Sequence, residues 1–176
     1  MIKNMKKICV LGGGAIGSCV SASLTDAGLD IILVDQWADH INKIRRDGLT
    51  VTTKEGKKNT KVSAYHMSDL AKLQPQFDFI LMAVKAYDTQ WMSKFASVYL
   101  KDKGVFVGLQ NAYNDDLNAD MVGRENVIGA VVELSCEIFN PGFVQRNTVP
   151  SGTWFAVGEL SGKITPRLKE VQKITR

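Results

Sequence analysis

Residues 8–17 have the sequence ICVLGGGAIG, a short apolar run followed at once by a glycine-rich loop. The run Ile8–Leu11 is typical of a strand that is buried on both faces of a parallel sheet. The loop consists of Gly12, Gly13, Gly14, Ala15, Ile16 and Gly17. Gly12 permits a tight turn, Gly14 leaves room for a pyrophosphate, and Gly17 lets the following helix pack closely. Because a helix N-terminus also attracts phosphate, we predict a nicotinamide-dinucleotide-binding Rossmann unit.

A second apolar run, at 31–34, ends on an acidic residue, Asp35, 21 positions after Gly14. A carboxylate at this place can accept hydrogen bonds from both hydroxyls of the adenosine ribose. It would repel a 2′-phosphate, and no arginine immediately follows to offset that repulsion. Asp35 therefore favours NAD over NADP as the cofactor. The alternative role for Asp35 is capping of the next helix.

The rest of the chain alternates between strand and helix patterns, which predicts an α/β fold with a mostly parallel sheet flanked by helices. Residues 49–65 interrupt the alternation and predict an inserted β-hairpin around a turn at 54–57. Further strands are predicted at 77–84, 104–109 and 126–134, with β-like segments at 138–145 and 153–157. Helices are predicted at 16–27, 38–46, 69–73, 88–100, 117–122 and from residue 166 onward. We expect residues 1–176 to form one dinucleotide-binding domain.

The composition is that of an ordinary globular chain, with 45% hydrophobic and 23% charged residues. The net charge of +4 is spread along the sequence, so we expect no nucleic-acid partner. The cysteines Cys9, Cys19 and Cys136 show neither a CxxC motif nor ligand spacing, which predicts no metal site and a reducing compartment. The apolar run before Gly12 is too short for an export signal or a membrane span, so we expect a cytoplasmic protein without a membrane partner.

Two polar residues directly follow predicted core strands, at the edge where open α/β sheets bind ligands. Lys85 could hold a carboxylate or a ribose hydroxyl, and Asn111 could donate to the ribose or to the nicotinamide amide. From position alone, an ordinary role at a strand end is equally open for both residues. Glu133, in a later strand, could also face the nicotinamide pocket.

The sequence gives less reason to place the remaining polar candidates in a functional site. We expect His40 and His66 to be isolated and exposed. Asp115 and Asp116 are expected to open a helix, where the helix dipole favours acidic side chains.

Several motifs, in their order along the chain, resemble the N-terminal cofactor domain of ketopantoate reductases, also called 2-dehydropantoate 2-reductases. Beyond the glycine loop, the resemblance rests on Ile44 with Gly48-Leu49, Val84-Lys85-Ala86-Tyr87-Asp88-Thr89, Leu109-Gln110-Asn111, Pro141-Gly142 and Val157-Gly158-Glu159. Many dehydrogenases share the glycine loop, whereas the combination of VKA and LQN with the later PG and GE is much more specific. The resemblance covers essentially the whole chain.

The resemblance implies that the 2-keto group of ketopantoate is reduced by NADPH, giving pantoate on the route to coenzyme A. It assigns the cofactor pyrophosphate to residues 12–17. It places Lys85 and Asn111 where the nicotinamide ribose and the substrate meet, so both are candidate catalytic as well as cofactor-binding residues.

This sequence departs from the family pattern at three positions. The family's usual arginine for the 2′-phosphate aligns with Trp37, which together with Asp35 makes NAD the favoured cofactor. Ala112 follows the LQN motif where the family usually has glycine. Glu133 stands where a small or hydroxyl-bearing residue is expected.

The resemblance also implies a second, all-helical domain after this one. That domain would carry the lysine that protonates the developing alkoxide, further substrate contacts and much of the surface of a homodimer. We expect the connection to it to begin near residue 163. We therefore expect the 176 residues to bind the cofactor without appreciable turnover of a 2-keto acid.

Two other functions remain open. The first is an NAD-sensing regulatory module, of the kind that gates potassium transport. Such modules usually continue with a Gly-Asp-Ala-like segment after the second helix. This chain instead has Gly48-Leu49-Thr50, a hairpin, and later Lys85 and Asn111, which favours the enzyme. The second is a related dehydrogenase that acts on another hydroxy acid or on an opine.

Overall fold

The computed structural model describes residues 6–111 and 113–175, which form eleven strands and six α-helices. The strands are β1 (Ile8–Leu11), β2 (Ile31–Asp35), β3 (Leu49–Thr53), β4 (Gly56–Thr60), β5 (Ala64–His66), β6 (Phe77–Met82), β7 (Leu100–Gly108), β8 (Val127–Glu133), β9 (Cys136–Asn140), β10 (Phe143–Arg146) and β11 (Trp154–Glu159). The helices are α1 (Ala15–Asp26), α2 (Ala38–Asp47), α3 (Met67–Leu73), α4 (Thr89–Ser97), α5 (Asp115–Val122) and α6 (Pro166–Ile174).

Seven strands form the main sheet, in the order β11-β8-β7-β6-β1-β2-β5. Neighbouring strands run parallel except at the edge, where β11 is antiparallel to β8. The chain passes from β1 outward to β2 and β5, and then returns to the other side of β1 through β6, β7 and β8. This order is typical of dinucleotide-binding α/β folds, and the reversal opens a crevice between β1 and β6. The predicted mostly parallel sheet flanked by helices is confirmed.

The central strands are covered on both faces, which explains their continuous apolar sequences. Every residue of β1 is buried. Successive side chains of a strand point to opposite faces, so Val10 and Leu33 lie in one apolar cluster and Leu11 and Val34 in the other. The two clusters together hold the parallel strands between helical layers.

A second sheet, which was not predicted from the sequence, has the order β4-β3-β10-β9. The predicted hairpin is present as β3 and β4, but β3 also pairs in parallel with β10, with Val51 opposite Val144. Helix α1 contacts β9, β10 and β3 as well as the main sheet. It is therefore buried on most of its circumference, where small residues such as Ser18, Ser21 and Ala22 let both sheets approach.

Two predicted boundaries are wrong, and strand pairing gives the reason in each case. The last residues of the segment 49–65, which was predicted to form a hairpin, are not part of it. Instead Ala64–His66 forms β5 and extends the main sheet beside β2. The helix predicted to reach residue 100 ends at Ser97, because Leu100 already pairs with Phe77 at the start of β7.

Cys9 and Cys19 are buried in the core, as predicted. The described ranges contain no cluster of three or more His, Cys, Asp or Glu side chains that could hold a metal ion. No helix in 6–111 or 113–175 is both long and apolar enough to cross a membrane.

A buried ion pair attaches α6 to the edge strand of the main sheet. The Arg167 guanidinium donates from Nε to Glu159 Oε1 at 2.8 Å, and the side chain of Glu159 is only 3% exposed. Hydrogen bonds from Arg167 and from the Thr165 hydroxyl hold the pKa of Glu159 below its usual range, in spite of burial. The glutamate of the Gly158-Glu159 motif therefore has a structural partner in the following helix.

We expect Arg167→Met to lower the free energy of unfolding by about 3 kcal/mol, because it leaves a buried carboxylate without its charged partner. Arg124→Met, which breaks an exposed pair with Asp116, is the matched control and should leave the free energy of unfolding almost unchanged, because exposed ion pairs contribute little. Urea unfolding at pH 7 measures both values. Equal effects of the two substitutions on the free energy of unfolding would contradict a stabilising role for the pair of Arg167 and Glu159.

The same pair predicts a pH dependence. Since the pKa of Glu159 is lower in the folded than in the unfolded chain, its contribution is complete above the ordinary glutamate pKa and is lost as the pH falls through the folded value. Between pH 7 and pH 3, the wild-type chain should therefore lose more stability than Arg167→Met.

Candidate functional site

A cleft of about 720 Å³ runs along the carboxyl edge of the main sheet. The register brings the ends of four strands to one level, with Leu11 beside Val34 and Met82, and Met82 beside Gly108. The loops that follow these strands therefore emerge together. The cleft is lined by the glycine loop, by the segments 35–37, 83–88 and 109–111, and by residues of β8 and β9.

The glycines of the loop are needed for different reasons. Gly12 has φ +105°, and a methyl group on it would lie 2.7 Å from the Val84 nitrogen. A methyl group on Gly17 would lie 1.8 Å from the Gly12 carbonyl oxygen. Gly14 differs, because a methyl group there would have no protein atom within 4 Å. The first two glycines are required by backbone packing, whereas Gly14 borders the open cleft.

Three backbone N–H groups at the start of α1 have no partner inside the helix, and two of their residues, Ala15 and Ile16, line the cleft. The Gly12 N–H donates to Val34 O at 2.9 Å and thereby extends the ladder between β1 and β2. The helix begins at Ala15, so the N–H groups of Ala15, Ile16 and Gly17 have no acceptor one turn earlier in the helix. Together with the helix dipole, they make a site for an anion.

The Asp35 carboxylate is fixed at the end of β2 by two backbone donors. Oδ2 accepts from the Gly13 N–H at 2.5 Å, and Oδ1 accepts from the Trp37 N–H at 2.6 Å. Trp37, not Asp35, is the N-cap residue directly before α2, and its side chain makes no capping bond. The geometry thus disfavours capping as the role of Asp35, and each carboxylate oxygen keeps a lone pair for a ligand.

Lys85 and Asn111 both lie on the wall of this cleft, on neighbouring loops after β6 and β7. Both are exposed. Within 6–111 and 113–175, no carboxylate forms an ion pair with Lys85. The Lys85 ammonium therefore has no carboxylate partner among these residues and can bind a ligand. Ala112, the position where the family usually has glycine, lies outside the described residues.

A buried polar network fixes the backbone on either side of these two residues. Gln110 Nε2 donates to the Val84 carbonyl oxygen at 3.1 Å and to Thr89 Oγ1 at 2.5 Å. Asn114 Nδ2 donates to the Asn111 carbonyl oxygen at 2.7 Å. The Thr89 hydroxyl in turn donates to Asn114 Oδ1 at 3.2 Å. The loops that present Lys85 and Asn111 are thus tied to one another.

The same network continues between α4 and α5. Ser93 Oγ donates to Asn118 Oδ1 at 2.6 Å, and both residues are fully buried. These residues were not among the candidates predicted from the sequence. Their signal was the repeated spacing of four, since Thr89 and Ser93 lie on one helix face and Asn114 and Asn118 on another.

Three other candidates lie elsewhere than expected or have another role. His40 is wholly buried rather than exposed, because its imidazole is enclosed between α1 and the turn after β9. His66 is half-buried and begins α3. Glu133 is exposed on β8 and does not line the cleft, because the alternation of the strand turns its neighbours Val132 and Leu134 inward instead.

Asp115 and Asp116 open α5, as predicted. The Asp115 carboxylate lies against Gly108 and Gly129, where any added methyl group would meet it at 2.7 Å. Burial raises the pKa of Asp115, and the charge of Asp116 raises it further.

The family model described as Ketopantoate reductase PanE/ApbA matches residues 8–160. A 2-dehydropantoate 2-reductase of Archaeoglobus fulgidus is 30% identical over 176 residues, which cover 98% of this chain and 53% of that protein. The chain spans about half the length of the curated relatives it matches.

Solved structures show the same fold at lower identity. A 2-dehydropantoate 2-reductase from Geobacter metallireducens superposes with a TM-score of 0.83 at 22% identity, covering 96% of this chain and 54% of that one. A D-mandelate dehydrogenase with NADH and anilino(oxo)acetate gives a TM-score of 0.82 at 22% identity, covering 96% of this chain and 52% of that one. With the family match over most of its length, the chain belongs to the ketopantoate reductase (PanE/ApbA) family.

Proposed function

We propose that the cleft binds a nicotinamide dinucleotide through its pyrophosphate at the start of α1. The observation that carries this proposal is the juxtaposition of the unpartnered N–H groups of Ala15 and Ile16 with the open space at Gly14. An extended dinucleotide fits a cleft that runs from Asp35 past the glycine loop to Lys85 and Asn111. When bound, the nicotinamide supplies a hydride.

NAD is the preferred form of the cofactor in this proposal. The Asp35 carboxylate is held in place by the Gly13 and Trp37 N–H groups, so it is pre-positioned to accept from ribose hydroxyls. The same fixed negative charge would lie close to a 2′-phosphate and repel it. Trp37 carries no charge to offset that repulsion.

The substrate class we propose is a 2-keto acid, with ketopantoate the first candidate because the relatives are named 2-dehydropantoate 2-reductases. The Lys85 ammonium would attract the substrate carboxylate, and the Asn111 carboxamide would donate to the nicotinamide ribose or to the keto oxygen. The polar network keeps both loops in place, so little order has to be gained when ligands bind. A homodimer and a cytoplasmic location stay predictions.

Direct titration tests the proposed function. We expect the 176-residue chain to quench or shift NADH fluorescence at saturation and to leave NADH unoxidised when ketopantoate is added. This expectation follows because the chain spans about half the length of its relatives, and we propose that a residue of their unmatched half protonates the alkoxide. Failure to bind both NADH and NADPH would refute the cofactor site. Steady oxidation of NADH would refute the proposal that the proton donor to the alkoxide is not among these residues.

Asp35→Asn should weaken NADH binding by about tenfold, because a charged acceptor for the ribose hydroxyls is lost, and should narrow the preference for NADH over NADPH. Asp30→Asn is the control. It removes the same charge at the opposite, exposed end of the segment that forms β2 and should change neither affinity. Wild-type chain that binds NADPH more tightly than NADH would overturn the cofactor preference.

Gly14→Ala and Gly17→Ala should separate ligand binding from folding. A methyl group on Gly14 meets only open cleft, so we expect unchanged stability but NADH binding weakened by at least about tenfold. A methyl group on Gly17 meets the Gly12 carbonyl, so we expect unfolding to become easier by about 3 kcal/mol. Urea unfolding and NADH titration of both variants measure this. The site is wrongly placed if Gly14→Ala binds NADH normally.

A further inference from the structure

The buried imidazole of His40 connects the glycine loop to the second sheet. Its Nδ1 lies 2.9 Å from the backbone nitrogen of Gly142, in the turn between β9 and β10. Its Nε2 lies 3.0 Å from Ser18 Oγ on α1. Ser18 Oγ lies 2.8 Å from the carbonyl oxygen of Gly13. One histidine thus joins segments that are about a hundred residues apart in the sequence.

In this series of three hydrogen bonds, only one assignment of donors and acceptors is possible. The Gly142 N–H can only donate, so Nδ1 of His40 must be unprotonated and accept. The neutral imidazole then carries its proton on Nε2 and donates it to Ser18 Oγ. The Gly13 carbonyl can only accept, so the Ser18 hydroxyl must donate to it. This hydrogen-bond relay, which runs from Gly142 through His40 and Ser18 to Gly13, therefore requires the neutral Nε2–H form of His40.

The relay ends on the peptide group that precedes the proposed phosphate site. The Gly13 N–H is held by Asp35, and the Gly13 carbonyl is held by Ser18. Both polar groups of this residue are therefore fixed, with the carbonyl directed at α1. The unpartnered N–H groups of Ala15 and Ile16, which line the cleft, follow in the loop.

We propose that His40 is a positioning residue for the cofactor, and that its neutral form keeps the glycine loop in the conformation that binds pyrophosphate. The inference rests on the proposed cofactor site and adds to it a residue that need not touch the ligand. A protonated Nδ1 would set two donors against each other at Gly142, and this repulsion would displace the imidazole and with it the Nε2–H bond to Ser18. Cofactor affinity then depends on the protonation state of a buried histidine.

The surroundings of His40 favour the neutral form. Burial lowers the pKa of His40, and the charge of Asp35, from β2, opposes this only in part. Lys43 packs its stem against Gly142, but its ammonium is paired with Asp47 at 2.8 Å. Trp37 covers the imidazole by stacking on it, with ring centroids 5.1 Å apart. We therefore expect the relay to be intact at pH 7.

Two substitutions of His40 each remove one of its two hydrogen bonds and keep the other. In His40→Gln, the side-chain amide can still donate to Ser18 from the position of Nε2, whereas Gly142 loses its acceptor. In His40→Asn, the side-chain oxygen can still accept from Gly142, whereas Ser18 loses its donor. We expect NADH affinity within about threefold of wild type for His40→Gln, and weakened about tenfold for His40→Asn and for Ser18→Ala.

The pH profile adds a readout that a purely structural role would not change. Wild-type affinity for NADH should be constant above the lowered pKa of His40 and should fall as the pH drops below it. This pH dependence should disappear in His40→Gln. The chain has only two histidines, so His66→Asn is the matched control and should keep the wild-type profile.

Imidazole ¹H–¹⁵N correlation spectra of the cofactor-free chain test the relay without any ligand. They should show His40 as the Nε2–H tautomer at pH 7, with a titration midpoint below about 6.5, the ordinary histidine value. A wild-type chain that binds neither NADH nor NADPH would refute the proposed function and leave this spectrum to judge the relay. Normal NADH binding by His40→Asn, or a pH profile unchanged in His40→Gln, would refute the inference itself.

Discussion

Helix α1 begins so close to the end of β1 that a methyl group on Gly17 would lie 1.8 Å from the carbonyl oxygen of Gly12. This close approach fixes where the helix starts and therefore where its N-terminal N–H groups face the cleft. It also sets the helix deep between the two sheets, where side chains must be small. The remaining features of the site follow from a helix that cannot move away from the sheet edge.

The second sheet gives α1 its other wall and changes how the site is supported. A glycine loop on a single sheet would be held only by its strand and its helix. Here the turn at Gly142 reaches His40, and His40 reaches the loop through Ser18. The hairpin that looks like an insertion in the sequence is thus part of the structure that holds the loop. On the far side, the Gln110 and Asn114 amides tie down the loops of Lys85 and Asn111.

The charges of the cleft differ along its length. Asp35 places a fixed negative charge at the end of β2, and the start of α1 contributes a partial positive charge beside it. Lys85 places a full positive charge beyond β6, without a partner among residues 6–111 and 113–175. A ribose, a pyrophosphate and a carboxylate, in that order, match these charges. This order of charges supports both proposals, that of the dinucleotide cofactor and that of an acidic substrate.

The sequence by itself determined the parallel core and the glycine loop, because buried strands and tight turns leave local signatures in Ile8–Leu11 and residues 12–17. It also located Asp35, Lys85 and Asn111 at strand ends, since strand ends can be counted along the chain. Only the tertiary structure decided that His40 is buried. Its partners lie 22 and 102 residues away, and no local pattern encodes a contact at that distance. The second sheet was missed for the same reason, because the pairing of β3 with β10 depends on packing around α1 and not on either sequence alone.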